Sequence, residues 1–119
     1  MLICQQYFLP QLIKCNECYN YLMYAYQNYK PKNNKEKALA SAFLKLKTEQ
    51  EVDNFLRDLL TIKELEEFAN RLEMAKLLKE GISYKRIAKK LGVSTTTVTR
   101  TAHWLFRGCG GYNLVLKRA

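Results

Sequence analysis

Residues 81–106 read GISYKRIAKKLGVSTTTVTRTAHWLF, and this stretch decides the fold. Ser83 has a side-chain oxygen able to accept the backbone N–H groups left over at a helix start, so it predicts a short helix over 84–91. Gly92 can take up the conformation of a tight turn, and Ser94 can cap a second helix over 95–106. The apolar spacing agrees: Ile87 and Leu91 can face Val93, Val98 and Leu105, while Ala88 is small where two helices cross closely. Thr101 stands where a branched aliphatic would be expected, with Ala102 beside it to share the burial. The stretch therefore predicts a helix-turn-helix.

Its second helix carries Thr95, Thr96, Thr99 and Arg100 near the N-terminal end, after Ser94. Short polar groups of this kind enter a major groove without blocking it. Threonine methyls can touch thymine C5-methyls, hydroxyls can bond base edges or phosphates, and arginine can fork onto guanine or phosphate. The preceding helix adds Lys85, Arg86, Lys89 and Lys90, which would position a protein on phosphates more than select a sequence. A capped, solvated surface helix is the plainer alternative for the threonines.

The charge points the same way. Of 119 residues, 20 are Lys or Arg and 11 are Asp or Glu, a formal net charge of +9. No acidic residue follows Glu80, so Lys85, Arg86, Lys89, Lys90, Arg100, Arg107, Lys117 and Arg118 put +8 in the last third and leave +1 for the rest. A one-sided positive field suits a polyanion, of which nucleic acid is the commonest soluble example. A basic face kept for solubility would share this composition.

Upstream the punctuation is helical. Thr48-x-x-Glu51 and Thr61-x-x-Glu64 are capping-box patterns, and three helices are expected over about 36–46, 49–59 and 62–80. The third places Leu65, Phe68, Leu72, Ala75 and Leu78 along one face, and Gly81 is suited to end it. Beyond Gly108, Gly110 and Gly111, residues 112–117 can form a last short helix. No window alternates as a strand, so the expected class is all-α.

The first 29 residues hold six of the eight tyrosines, with Leu12, Cys15, Tyr19, Leu22 or Met23, and Tyr26 at helical spacing. The polar KPKNNKEK stretch, 30–37, reads as a linker or solvated boundary, which gives an extension over 1–34 and a main domain over 35–119. Cys15 and Cys18 form a C-x-x-C pair without a second such pair, and His103 and Cys109 would complete a zinc site only if the two ends met. Reduced cytosolic thiols and no metal are the expectation. Nothing approaches the ~18 to 20 apolar residues of a membrane span, and the opening has no signal-peptide pattern, so a soluble cytoplasmic protein without a membrane partner is expected. One histidine, no paired pocket carboxylates and no Gly-rich phosphate loop argue against an enzyme.

Leu91-Gly92 followed by STTTVTR, preceded by LLKEGISYKRIAKK and followed by GCGGY, resembles the Trp-repressor superfamily. RLEMAKLLKEG, Arg71 to Gly81, is similar to the matching run of its YerC/YecD-like branch. The likeness covers roughly Leu44 to Arg118. It implies a sequence-specific transcription regulator, of the repressor kind, acting on a double-stranded DNA operator as an intertwined homodimer. It also implies that Thr95, Thr96 and Thr99 fall where the family's reading helix contacts bases, and Lys85 where a basic residue assists. For a tryptophan corepressor, the resemblance matches Arg100 and Arg71 to the family's arginines and Thr97 to a nearby threonine, but puts Trp104 where a small serine is found. A bulky indole there would fill the pocket, so no cofactor is expected, with tryptophan or another small effector as the alternative. Arg100 can equally contact phosphate or pair with Glu73. Trp104, with Leu105 and Phe106, is expected as a core anchor that holds the reading helix to the dimer body. Two rival readings stay open: a protein-interaction module built on the Tyr-rich segment, and a thiol- or metal-sensing regulator using Cys15 and Cys18.

Overall fold

Every described segment of regular structure in the computed structural model, which describes residues 28–118, is α-helical: α1 Asn34–Phe43, α2 Glu49–Leu59, α3 Ile62–Lys79, α4 Tyr84–Leu91, α5 Thr95–Arg107 and α6 Gly111–Arg118. The Tyr-rich helix expected before residue 28, with Cys15 and Cys18, lies outside the described residues. The chain divides into two compact units, with the division falling inside α3 between Ala69 and Asn70.

In the first unit, Tyr29–Ala69, each helix start is fixed by a side chain that satisfies an N–H group with no partner inside the helix. Thr48 accepts from the Glu51 N–H at 3.2 Å, while the Glu51 carboxylate reaches back to the Lys47 N–H at 2.7 Å. Thr61 and Glu64 form the full reciprocal box, at 3.3 Å and 2.9 Å. The same device begins α1, where Asn33 accepts from the Glu36 N–H at 3.0 Å. The expected linker over 30–37 is therefore corrected: its second half is the first turn of α1, which begins two residues before the expected Glu36. At the other end α1 stops at Phe43 rather than residue 46, as Lys45 and Leu46 turn back to the carbonyls of Ala42 and Phe43.

Neither α1 nor α2 contains a buried residue. Phe43 and Phe55 meet edge to face at 5.2 Å, yet Leu39, Phe43, Leu59, Ile62 and Phe68 remain exposed. The apolar face expected along the third helix is thus covered only in part: Leu65 is half-buried, and Phe68 and Leu72 are exposed.

The second unit, from Asn70 onward, holds the core. Met74, Ala75, Leu77 and Leu78 of α3 pack with Ile87 and Ala88 of α4 and with Val98, Ala102 and Leu105 of α5. Gly81, at φ +81°, closes α3: the Ile82 N–H donates to the Leu77 carbonyl at 3.1 Å and the Gly81 N–H to that of Leu78 at 3.0 Å. Thr101 is buried and behaves as a valine with a satisfied hydroxyl, which donates to the Thr97 carbonyl at 3.3 Å and lies 3.8 Å from the Met74 sulfur. Asn113, from α6, is buried and donates to the Leu105 carbonyl at 2.9 Å, satisfying one of the acceptors that α5 leaves open at its end.

Candidate nucleic-acid interface

Three residues set the limits of α4 and the turn into α5. Ser83 starts α4 by accepting from the Arg86 N–H at 3.4 Å. Gly92 ends it in the left-handed region, φ +64° and ψ +33°, and the Val93 N–H returns to the Ala88 carbonyl at 3.0 Å. Ser94, extended at φ −75° and ψ +154°, starts α5 by accepting from the Thr97 N–H at 3.1 Å. Both helices then seat their inner faces in the core through Ile87, Ala88, Val98, Thr101, Ala102 and Leu105, with Leu91 and Val93 packed against it. The expected limits 84–91 agree with the observed helix, and the second extends one residue past the expected end.

With those faces buried, the helical period decides what is left outside. Lys85, Arg86, Lys89 and Lys90 are exposed on α4. Ser94, Thr95, Thr96, Thr99 and Arg100 are exposed at the N-terminal end of α5. The turn brings these nine residues onto adjoining helices with no acidic residue among them. The N-terminus of α5 adds its own partial positive charge at Thr95 and Thr96. Such a surface offers hydrogen-bond donors and acceptors, methyl groups and cations, and it attracts anions.

Two exposed residues were not among those expected at the interface. His103 and Arg107 continue the outward face of α5 from Thr96, Thr99 and Arg100. The i, i+3, i+4, i+7 spacing from Thr96 was the available signal.

The hydroxyls of α5 are not equivalent. Ser94 and Thr97 share a hydrogen bond at 2.9 Å, which locks the cap. Thr99 donates to the Thr95 carbonyl at 2.9 Å, back along its own helix.

The residues expected to line an effector pocket are distributed as follows. Thr97, Arg100 and Trp104 follow one another at helical spacing on α5, half-buried, exposed and exposed in turn. Arg71 is exposed on α3, one turn before Met74. Within one chain Trp104 does not enter the core: its ring is 56% exposed and meets His103 edge to face at 5.5 Å. Leu105 is the anchor instead, at 1% exposed, because a step of 100° per residue cannot turn three successive side chains to one side. Lys79 and Lys117 carry positive charge on α3 and α6 of the same unit. Partial burial and then the neighbouring Lys117 hold the Lys79 ammonium below its usual range.

The model of the Trp repressor protein family matches residues 34–119. An uncharacterized Bacillus subtilis protein, YerC, is 39% identical over 80 residues, spanning 67% of this chain and 77% of its own length. Among solved structures, a TrpR-like protein from Eubacterium eligens superposes with a TM-score of 0.69 at 38% identity, over 73% of this chain and 90% of that one. A candidate Trp repressor from Staphylococcus aureus gives 0.68 at 32% identity, over 73% and 87%. The described helices thus have the Trp-repressor-like fold, and the chain belongs to the Trp repressor family, whose members are non-enzymatic regulators.

Proposed function

We propose that the chain is a sequence-specific DNA-binding transcription regulator of the repressor kind, which docks α5 in the major groove. The observation that carries this reading is the capped, glycine-turned α4–α5 pair, which holds Thr95, Thr96, Thr99 and Arg100 outward beside Lys85, Arg86, Lys89 and Lys90. Bases are read by the α5 group, and phosphates are held by Ser94 and by the basic residues of α4.

The acting species is a homodimer. What supports it is the apolar surface of the first unit, where α1 and α2 bury no side chain within one chain. An intertwined partner would cover Leu39, Phe43, Leu59, Ile62 and Phe68, and would set two reading helices one turn of DNA apart. The domain that begins with the Asn33 cap of α1 does this work, and the residues before it are an addition to it. We place the protein in the cytoplasm, with an operator duplex as its partner; none of its described helices is long and apolar enough to cross a membrane.

Salt dependence and substitution test the reading together. With six to eight phosphate contacts per dimer, log affinity should fall against log salt with a slope of roughly −5 to −7. On a random duplex pool, Lys89→Ala should weaken all sequences alike, whereas Thr96→Ala should change which sequences are retained. A slope near zero, or a Thr96→Ala protein retaining the parent's sequences unchanged, contradicts it.

A second reading makes the regulator responsive to tryptophan or another small effector through Arg71, Thr97, Arg100 and Trp104. The exposure of Trp104 supports it, since that indole is not spent on the core of its own chain. Calorimetric titration with tryptophan tests the first of these, and no heat of binding at millimolar ligand sinks tryptophan as the effector.

A further inference from the structure

Thr99 stands exposed on the outward face of α5, one turn beyond Thr95 and beside Arg100. Its position alone leaves open what it reads, because threonine carries both a hydroxyl and a methyl group. The hydrogen bonding of α5 separates the two. The Thr99 hydroxyl donates to the Thr95 carbonyl at 2.9 Å, so its one proton is committed to the helix. Threonine is stiff at χ1, and a hydroxyl bonded to the carbonyl four residues back is one of its preferred arrangements in a helix. Aiming that proton at a base would mean giving up an existing bond. Keeping it leaves the methyl group and the acceptor lone pairs of the oxygen, and since the thymine edge offers an acceptor and a methyl but no donor, only the methyl group can read thymine.

We propose that Thr99 is a specificity-determining residue that selects thymine through its methyl group, at one position in each half-site, and not through a hydrogen bond donated by its hydroxyl to a base edge. The proposal rests on the DNA-binding reading above and makes it more specific. Hydrogen-bond readout then falls to Thr95, Thr96 and Arg100. The matching feature on DNA is the thymine C5-methyl, which projects into the major groove and is absent from every other unmodified base.

The test uses the full-length protein and the duplex it retains from a random pool, with thymines replaced one at a time by deoxyuridine, which removes only the C5-methyl. One such replacement in a half-site should weaken binding about four-fold, and the pair in both half-sites roughly fifteen-fold, the worth of one buried methyl group at each. Thr99→Val keeps the methyl and loses the hydroxyl, and should bind the thymine duplex within about two-fold of the parent. Thr99→Ser keeps the hydroxyl and loses the methyl. It should bind as weakly as the parent binds the deoxyuridine duplex, and should no longer distinguish the two duplexes. The proposal is overturned if Thr99→Ser retains parental affinity while Thr99→Val loses it, or if a tightly bound palindrome is indifferent to deoxyuridine at every position. A pool that yields no preferred sequence overturns the DNA-binding reading itself, and this inference falls with it.

Discussion

Replacing Gly92 by alanine isolates the backbone cost of the turn that sets α5 against α4. Gly92 sits at φ +64°, and a Cβ added there meets nothing within 4 Å. The whole penalty is therefore conformational. An L-residue in the left-handed region costs roughly 1–2 kcal/mol. Against this, alanine restricts the unfolded chain and returns about 0.4–1 kcal/mol. The net expectation is a loss of about 1 kcal/mol, or roughly 4–8 °C in melting temperature for a domain of this size. Thermal unfolding followed by circular dichroism at one fixed protein concentration measures it, since the melting point of an oligomer moves with concentration. Gly92→Asn should lose less, because asparagine tolerates this conformation. Gly81→Ala should lose about as much, being at φ +81° with equally open space around it. A Gly92→Ala protein that melts with the parent, or an asparagine variant as damaged as the alanine one, refutes the reasoning.

Removing the Asn113 donor should be costly: Asn113→Leu leaves the Leu105 carbonyl without its 2.9 Å partner, and the expected loss is about 1–3 kcal/mol in urea unfolding. Parental stability in that variant would mean the bond contributes nothing. Acid should loosen two helix starts. Glu36 is held below the usual 4.5 by the Tyr29 hydroxyl and then the Lys32 N–H, and Glu64 by the Thr61 hydroxyl and then its N–H. Both carboxyls are depressed on folding, so their contribution is complete above pH 4.5 and is lost as pH falls through the folded values. A Glu36→Gln, Glu64→Gln protein should melt below the parent at pH 7, and the gap should narrow as pH falls below 4.5; a gap that stays constant as the parent is acidified would contradict the assignment.

How far the fold could be read in advance depended on which interactions were local. Ser83, Gly92 and Ser94 each act within four residues of themselves, so the limits of α4 and the start of α5 were legible from residue type. So was the start of α2 at Glu49, set by Thr48. Asn33-x-x-Glu36 is a cap of the same local kind, but it was hidden in a stretch whose lysines, proline and asparagines also suit a linker. Periodicity reports which face is apolar and is silent about what covers it. Phe68 and Leu72 fit the third-helix stripe as well as Leu78 does, yet only Leu78 meets this chain's own core. Asn113 could not be assigned from its neighbours, since its partner is eight residues away across a turn.

For the candidate site, residue type and spacing named the nine exposed residues from Lys85 to Arg100. They did not reveal which threonine hydroxyls are already used. That distinction needed the bonds from Thr99 to Thr95 and between Ser94 and Thr97. The indole of Trp104 lies outside its own chain's core because of its angle on the helix, which bulk and apolarity do not report. It stands 100° round from Leu105, on the side of Thr97 and Arg100.

Selection of bound duplexes from a random DNA pool, at about 150 mM salt so that sequence-independent binding is suppressed, tests the central claim most directly. The account predicts enrichment of a two-fold palindrome by the parent, and a changed consensus with Thr96→Ala. Failure of any sequence to enrich, with or without tryptophan, would contradict it and leave α4 and α5 as a basic surface without a reading function.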